Sequence, residues 1–424
     1  MTPRTTPPAA ATPAFATAFR TIRRLALLAL AISASAPFST HAAAADKAGT
    51  ETLDDCLARL RPQALAKRVP AATWDAHMRE RVHDAGVLAA LDQQPEFKLP
   101  IWDYLAGLVD EERVADGAAR LSEHAPLLER LSNEYGVDPA TLVALWGVES
   151  DYGRVGGGRP LLDSLATLSC AGRRQAFFRG ELFSLLGLIG RGDLQAEGLT
   201  GSWAGAFGQT QFMPSTYVRV AVDGDGDGRR DLVASIPDAL ASSANYLRQA
   251  GWRRGQAWGH EVLLPDGFDT SLQGRNNRRP LSYWTGRGLR RADGGDWPAD
   301  DRRAALLLPA GPAGPALLVF RNYDAIYSYN AAESYALAIS LLSDRLRGNA
   351  GLHRPWPTDD PGLSRAQRRE LQTLLLARGH DIGEADGLIG ARSRAAIMQE
   401  QQRLGREPDG RAGMALLEAL RRGD

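Results

Sequence analysis

The chain has 424 residues, with 50 Lys+Arg against 50 Asp+Glu and a formal net charge of zero. At 44% hydrophobic and 24% charged residues it has an ordinary globular composition, which excludes wholesale disorder, a collagen-like repeat and a multi-span membrane protein. A pI near 7.1 leaves no basic field to favour nucleic acid, and the length suits roughly two to four domains.

The first 44 residues read as an export signal. Arg20, Arg23 and Arg24 precede an apolar run over 25–32, and small residues then lead to His41-Ala42-Ala43-Ala44-Ala45. A basic start, a short apolar stretch and an A-x-A-like site are the layout of a secretory signal peptide. The run is shorter than the about 20 apolar residues a spanning helix needs; a retained membrane anchor is the alternative reading. No cysteine lies near the cleavage region, which argues against a lipoprotein. The expectation is a periplasmic mature chain from residue 45. In that oxidising compartment Cys56 and Cys170 have two readings, one disulfide or two buried thiols.

Residues 53–131 carry a helical pattern, with Leu57, Leu60 and Leu65, then Trp74, Met78 and Val82, at helix-like spacing. Further helices broken by glycine-rich turns are expected to about residue 250. Residues 258–320 change character: Gly, Pro and Asn clusters separate short β-prone runs at 261–264 and 317–320, which predicts a small inserted antiparallel sheet. The helical pattern returns over 331–346. Residues 348–362 are rich in Pro, Gly and Asp and read as a linker. Residues 363–424 form a small helical module whose apolar positions include Leu371, Leu374, Leu375, Ile397, Leu416, Leu417 and Leu420. The fold class is mainly α (α+β).

The most informative helix is expected to start at Asp138-Pro139, an N-cap followed by a proline suited to the first turn. It is then apolar on every side, as a buried helix is, until Glu149 near its end. A carboxyl set into an apolar wall loses solvation, which favours its protonated form and suits a general acid. The competing reading is a solvated glutamate, or one paired with Arg173 or Arg174. Gly201-Ser202-Trp203-Ala204-Gly205-Ala206-Phe207-Gly208-Gln209-Thr210-Gln211-Phe212-Met213-Pro214 combines aromatic rings with amides. Those are groups that stack on and hydrogen-bond a neutral carbohydrate, though a packed loop of core aromatics is the alternative. Histidine is absent between His124 and His260, and no CxxC or HExxH occurs, so neither Ser/His nor Cys/His catalysis nor a zinc site has support.

Asp223-Gly224-Asp225-Gly226-Asp227-Gly228 has the carboxylates of positions 1, 3 and 5 of an EF-hand loop, with glycine at 6. The twelfth position is Ala234, and Asp238 is the candidate replacement. A structural Ca²⁺ or a plain acidic turn are the two readings, with no cofactor needed for catalysis.

Gly147-Val148-Glu149-Ser150 and the 201–214 segment, with Leu165-Ala166-Thr167-Leu168, Arg173-Arg174, the Asp-rich loop and Tyr329-Asn330…Tyr335, resemble the lytic murein transglycosylase B family. The resemblance covers residues 50–347 and implies a lysozyme-like helical core. It gives Glu149 as the single catalytic carboxyl. Arg173, Arg174, Ser202, Gln211, Phe212, Tyr329, Asn330 and Tyr335 match groove-lining positions. Asp223, Asp225, Asp227, Arg229 (through its carbonyl) and Asp238 match the calcium loop. The chain departs from the family pattern by one extra residue before Asp238 and by Ala331-Ala332-Glu333 after Asn330. Leu371-Gln372…Leu375…Gly379, Asp386-Gly387-Leu388-Ile389-Gly390, Ala396-Ile397…Gln401 and Asp409-Gly410 resemble a three-helix peptidoglycan-binding domain. Removal of that tail is expected to weaken wall binding and to leave cleavage of soluble fragments intact.

The resemblance implies action on peptidoglycan glycan strands, as a monomer, with other cell-wall enzymes as candidate partners. Glu149 would protonate the bond between N-acetylmuramic acid and N-acetylglucosamine, then take the C6 hydroxyl proton as a 1,6-anhydro end closes. A hydrolysing muramidase and an inactive wall-binding scaffold are the alternatives. Glycosidases pair two carboxyls. The sequence neighbours Asp151 and Asp163 are unconvincing partners: Asp151 points elsewhere from Glu149, and Asp163 has the setting of an N-cap.

Overall fold

The computed structural model describes residues 51–91 and 98–424; the expected leader over 1–44 lies outside them. Helices α1 (Leu53–Ala66), α2 (Ala71–His77), α3 (Ala85–Leu91), α4 (Ile101–Ala106), α5 (Glu111–Glu123) and α6 (Ala125–Tyr135) lead into α7 (Pro139–Ser150). The Asp138 side chain accepts a hydrogen bond from the Thr141 amide at 3.1 Å, so α7 starts where the sequence places it. Every residue from Ala140 to Gly147 is buried. Burying each large apolar side chain contributes about 1.5–3 kcal/mol, which outweighs the small helix propensity cost of Val143 and Thr141.

One core forms where α7 packs on α14 (Glu333–Leu346), with Leu142, Leu145 and Trp146 against Leu337, Ile339 and Leu342. A second gathers around α8 (Leu161–Cys170) and α9 (Gln175–Gly190), which also bury α1 and α10 (Pro214–Val220). The short strands β1 (Arg159–Pro160), just before α8, and β2 (Thr200–Gly201), between α9 and α10, pair antiparallel. α11 (Ile236–Gln249) follows.

The inserted sheet is present. Its strands are β3 (Gly259–Leu263), β4 (Arg279–Pro280), β5 (Arg290–Arg291), β6 (Arg303–Leu307) and β7 (Ala316–Val319), in the order β4-β6-β7-β3-β5 with antiparallel neighbours. Leu318 pairs with both Leu306 and His260, and the sheet covers Trp284 of α12 (Leu281–Thr285). α13 (Arg321–Asn330) and α14 return the chain to the first core. The tail is a three-helix module, α15 (Arg365–Ala377), α16 (Ala391–Arg403) and α17 (Met414–Arg422), around Leu371, Leu375, Ile397 and Leu417. Residues before it are tied down: Glu261 of β3 accepts hydrogen bonds from the His353 and Arg354 amides at 2.6 and 2.8 Å.

Two local expectations fail. The helix expected to carry Trp74, Met78 and Val82 ends at His77, and Val82 is 66% exposed. Glu80 takes a left-handed conformation, φ 56°, that ends any continuation, and the Val82 amide donates to Asp163. Asp163 is therefore not an N-cap: it lies inside the first turn of α8, where it also pairs with Arg81 at 3.3 Å.

Cys56 and Cys170 form a disulfide, Cα–Cα 5.9 Å, across 114 residues of sequence. It fixes α1 to the end of α8. A link closing so long a stretch mainly restricts the unfolded chain. A Cys56→Ser/Cys170→Ser variant should lose about 2–5 kcal/mol of stability, measured as an earlier denaturant midpoint; an unmoved midpoint would refute this account.

His260 on β3 sits against Phe320 and Trp297. Burial, reinforced by Arg291, pushes its pKa from 6.5 to about 4. Between those values the unfolded chain binds more protons than the native one, so stability falls as pH drops through the window. His260→Leu should flatten that part of the stability–pH curve, and a slope identical to wild type would contradict it.

Candidate active site

Glu149 lies in the last turn of α7, half-buried, where the apolar run stops. The Tyr335 hydroxyl from α14 donates to its Oε1. Tyr335 is 3% exposed, and burial, with the Glu149 charge adding to it, holds its phenol pKa well above the usual value. Tyr335 therefore stays a hydroxyl donor. Tyr329, at the end of α13, stacks on it with ring centroids 6.4 Å apart and planes at 20°. Burial and the same carboxylate raise the Tyr329 phenol too. Its hydroxyl donates to the Thr210 carbonyl at 2.7 Å. Ala331, in a left-handed conformation, breaks the chain between α13 and α14, which lets two successive helices contribute adjacent tyrosines.

The 201–214 segment folds into a tight turn in which Phe207 and Phe212 exchange backbone hydrogen bonds at 3.0 Å. Gly208 is required there: its φ is 78°, and a Cβ would lie 2.5 Å from the Leu232 carbonyl. Gln209 locks the turn to α7, accepting from the Trp146 indole N–H at 3.0 Å, while the Ser150 hydroxyl donates to the Gln209 carbonyl. Gln211, at a strained φ of 50°, donates from its amide to the carbonyls of Gly156 and Gly208 at 3.0 and 2.9 Å. The Ser202 hydroxyl accepts from the Ala206 amide at 3.0 Å.

The structure thus brings Glu149, Tyr335, Tyr329, Gln211 and Phe212 together. Phe212 does so differently from expectation: it is 1% exposed, so its ring lies against Tyr246 and Tyr329 instead of offering a stacking face. Phe207, fully buried and stacked on Tyr217, belongs to the core. Arg173 and Arg174 are exposed between α8 and α9; Arg173 donates to the Leu91 carbonyl, and Arg174 lies 4.5 Å over the Phe177 ring. Asn330 is exposed beside Ala331. The neighbours that distinguish this chain face elsewhere: Ala332 is in the core, and Glu333 accepts from the Tyr323 hydroxyl at 2.6 Å. The fold adds Tyr246, which sits on α11 with its ring 4.7 Å from Tyr329; nothing in its local sequence marks it.

The carboxylate oxygens of Asp223, Asp225 and Asp227 converge within 4.8 Å of one another, exposed. Three hard oxygen donors so close suit a divalent cation. Asp238 is buried, and its two oxygens accept from the Gly224 and Asp231 amides, each at 2.6 Å. It closes the loop through the backbone, so coordination by it would use the remaining lone pairs. Arg229 is exposed, and its amide donates to Asp227 at 2.7 Å.

A family model described as a transglycosylase SLT domain matches residues 52–344. The chain belongs to the transglycosylase SLT family. A second model, of a peptidoglycan binding domain, matches residues 364–420. Membrane-bound lytic murein transglycosylase B of Escherichia coli strain K12 is 34% identical over 251 residues, 56% of this chain and 64% of the relative's length. The chain thus aligns with less than two thirds of that protein. The solved structure of SltB3 from Pseudomonas aeruginosa in complex with NAG-anhNAM-pentapeptide is 46% identical, covers 88% of this chain and all of the other, and superposes with TM-score 0.70. The Escherichia coli lytic transglycosylase Slt35 in complex with calcium is 29% identical, covering 69% of this chain and 92% of that one, with TM-score 0.61. This transglycosylase SLT chain therefore shares the lysozyme-like fold of its solved neighbours.

Proposed function

We propose that the protein is a lytic transglycosylase. It cleaves the β-1,4 bond between N-acetylmuramic acid and N-acetylglucosamine in peptidoglycan and leaves 1,6-anhydromuramoyl ends. The observation that carries this reading is the Glu149 carboxyl at the end of a buried helix, oriented by the Tyr335 hydroxyl. Protonated Glu149 donates to the glycosidic oxygen as the bond breaks and positive charge develops at C1. The resulting carboxylate accepts the proton of the muramoyl C6 hydroxyl as that oxygen bonds to C1. One group serves both steps and no water is consumed. Gln211, Ser202, Tyr329, Asn330, Arg173 and Arg174 are the residues assigned to binding the glycan strand. Phe212 backs Tyr329.

The two carboxyls nearest in sequence are engaged elsewhere, which supports one-residue chemistry. The Asp151 oxygens are taken by Arg365 at 2.7 Å and Arg154 at 2.9 Å, and Asp163 Oδ1 is held by the Val82 amide and Arg81. A hydrolytic glycosidase needs a second carboxylate about 5–9.5 Å from the first, free to act as nucleophile or base. The anhydro sugar bound by the SltB3 relative agrees with this reading.

The Cys56–Cys170 disulfide suits an oxidising compartment such as the periplasm. No helix among the described residues is long and apolar enough to cross a membrane. The C-terminal module would hold the enzyme on the wall.

Mass spectrometry of digested sacculi tests the reaction: anhydro-ended fragments are expected, and fragments with reducing ends would make the protein a muramidase. Glu149→Gln should lower turnover by roughly 100- to 10,000-fold, the range for losing a general acid–base group; full activity would remove Glu149 from the chemistry.

A structural Ca²⁺ held by Asp223, Asp225 and Asp227 completes the proposal. Its charge would offset repulsion among the carboxylates. At 100 times its dissociation constant, such an ion adds about 2.7 kcal/mol to stability. Calcium should therefore raise the melting temperature of chelator-treated protein by several degrees, and Asp225→Asn should abolish the shift. Equal melting temperatures with calcium and with chelator would dismiss the site.

A further inference from the structure

The last turn of α7 is held in an arrangement that its own backbone does not favour. Asp151, the C-cap, has φ 51°, and Tyr152 has φ 59°. Two successive left-handed non-glycine residues persist only where surrounding groups fix them. Tyr152 is fixed by its hydroxyl, which donates to the Arg113 carbonyl at 2.7 Å, and by its ring, which would meet any Cβ at Gly147. Arg113 of α5, almost wholly buried, donates to the Gly147 carbonyl and lies 3.3 Å from the Asp151 carboxylate. Arg154 holds the other Asp151 oxygen.

The remaining partner comes from the C-terminal module. Arg365, the first residue of α15, donates from Nη1 to Asp151 Oδ1 at 2.7 Å. Its backbone amide and Nε both donate to Asp110 Oδ2, at 3.0 and 3.1 Å. Asp110 caps α5, accepting from the Arg113 amide at 2.8 Å. One guanidinium therefore joins the cap of the helix that supplies Arg113 to the cap of the helix that supplies Glu149. The side chains of Arg365 and Asp110 are 15% and 3% exposed. Burial works against ionised Asp151, but the Arg154 hydrogen bond and the charges of Arg113 and Arg365 outweigh it and hold the carboxyl below its usual range. A second attachment, Arg411 to Asp103 of α4 at 2.6 and 2.8 Å, fixes the module's other side. Between the two attachments lies a cavity of about 870 Å³, walled by Val148 and Tyr104 on one side and by Leu388 and Gly410 on the other. Val148 directly precedes Glu149.

We propose that Arg365 is a positioning residue for Glu149: by gripping Asp151 and Asp110 together, the C-terminal module sets the geometry of the catalytic turn. This rests on Glu149 being the acid–base group. The module is then part of the active-site framework as well as a wall anchor, and, against the expectation from the sequence, its loss impairs cleavage even of soluble fragments.

The test uses the full mature chain and soluble peptidoglycan fragments, assayed well below each variant's melting temperature. Arg365→Ala should lower kcat by roughly 10- to 100-fold, the scale of a misplaced reacting group, with KM and sacculus binding unchanged. Arg365→Lys keeps the charge but not the fork that spans Asp110 and Asp151, and should recover only part of the loss. Arg369→Ala removes a different ion pair of the same interface, Arg369 to Glu112 at 2.7 Å, and should leave kcat unchanged. An unaltered kcat in Arg365→Ala overturns the proposal. So does an equal fall in Arg369→Ala, which would make the effect one of general undocking. Glu149→Gln run in parallel separates the two readings. If it is inactive while Arg365→Ala is normal, only the positioning role fails. If it is active, the acid–base assignment fails and the positioning role with it.

Discussion

The site depends on a helix that is buried until its final turn. Between Ala140 and Gly147 no α7 side chain reaches solvent, so the position and roll of the helix are set by packing on every side. Close-packed interiors tolerate little displacement. A carboxyl placed one turn beyond such a segment inherits its precision. Tyr335 adds to this because it belongs to α14, the helix against which α7 packs. The hydroxyl that orients Glu149 and the surface that fixes its backbone therefore belong to one element.

Much of this is legible in the sequence because the signals are local. The Asp138-Pro139 start, the unbroken apolar run and the glutamate at its end lie within twelve residues of one another. The inserted sheet is legible from clustered turn residues around short β-prone runs, and the tail from its own apolar periodicity. The Val82 error has an equally local cause: a helical spacing continues past His77, where Glu80 turns left-handed and the chain is pinned by Asp163, 81 residues away. Spacing records which face a residue would occupy if the helix continued, and carries no information about a distant partner that ends it.

Side-chain roles are less legible, since they depend on what the fold packs behind each residue. Aromatic rings among small residues suggest sugar-stacking faces, yet Phe207 and Phe212 are both fully enclosed. Tyr246 and Tyr329, from two separate helices, close over Phe212. A Pro/Gly/Asp-rich stretch before the tail reads as a linker and does not foretell how the tail docks. The docking of the tail rests on Arg365 and Arg411, which in sequence are two of many arginines and whose partners lie more than 200 positions away. Charged pairs that meet across such distances leave no periodicity to read.

The Asp-rich loop connects to the same framework. Asp238 holds the loop's first and later segments through the Gly224 and Asp231 amides, and it does so from the first turn of α11. Gly224 admits no side chain there, because a Cβ would lie 2.3 Å from the Pro237 carbonyl. The loop is thus pressed onto the start of the helix that carries Tyr246. From Tyr246 the contacts run to Tyr329, then to Tyr335, then to Glu149. An ordered loop fixes where α11 begins, and α11 fixes one wall of the tyrosine stack. The acidic turn therefore bears on the site through the placement of α11 and its tyrosine.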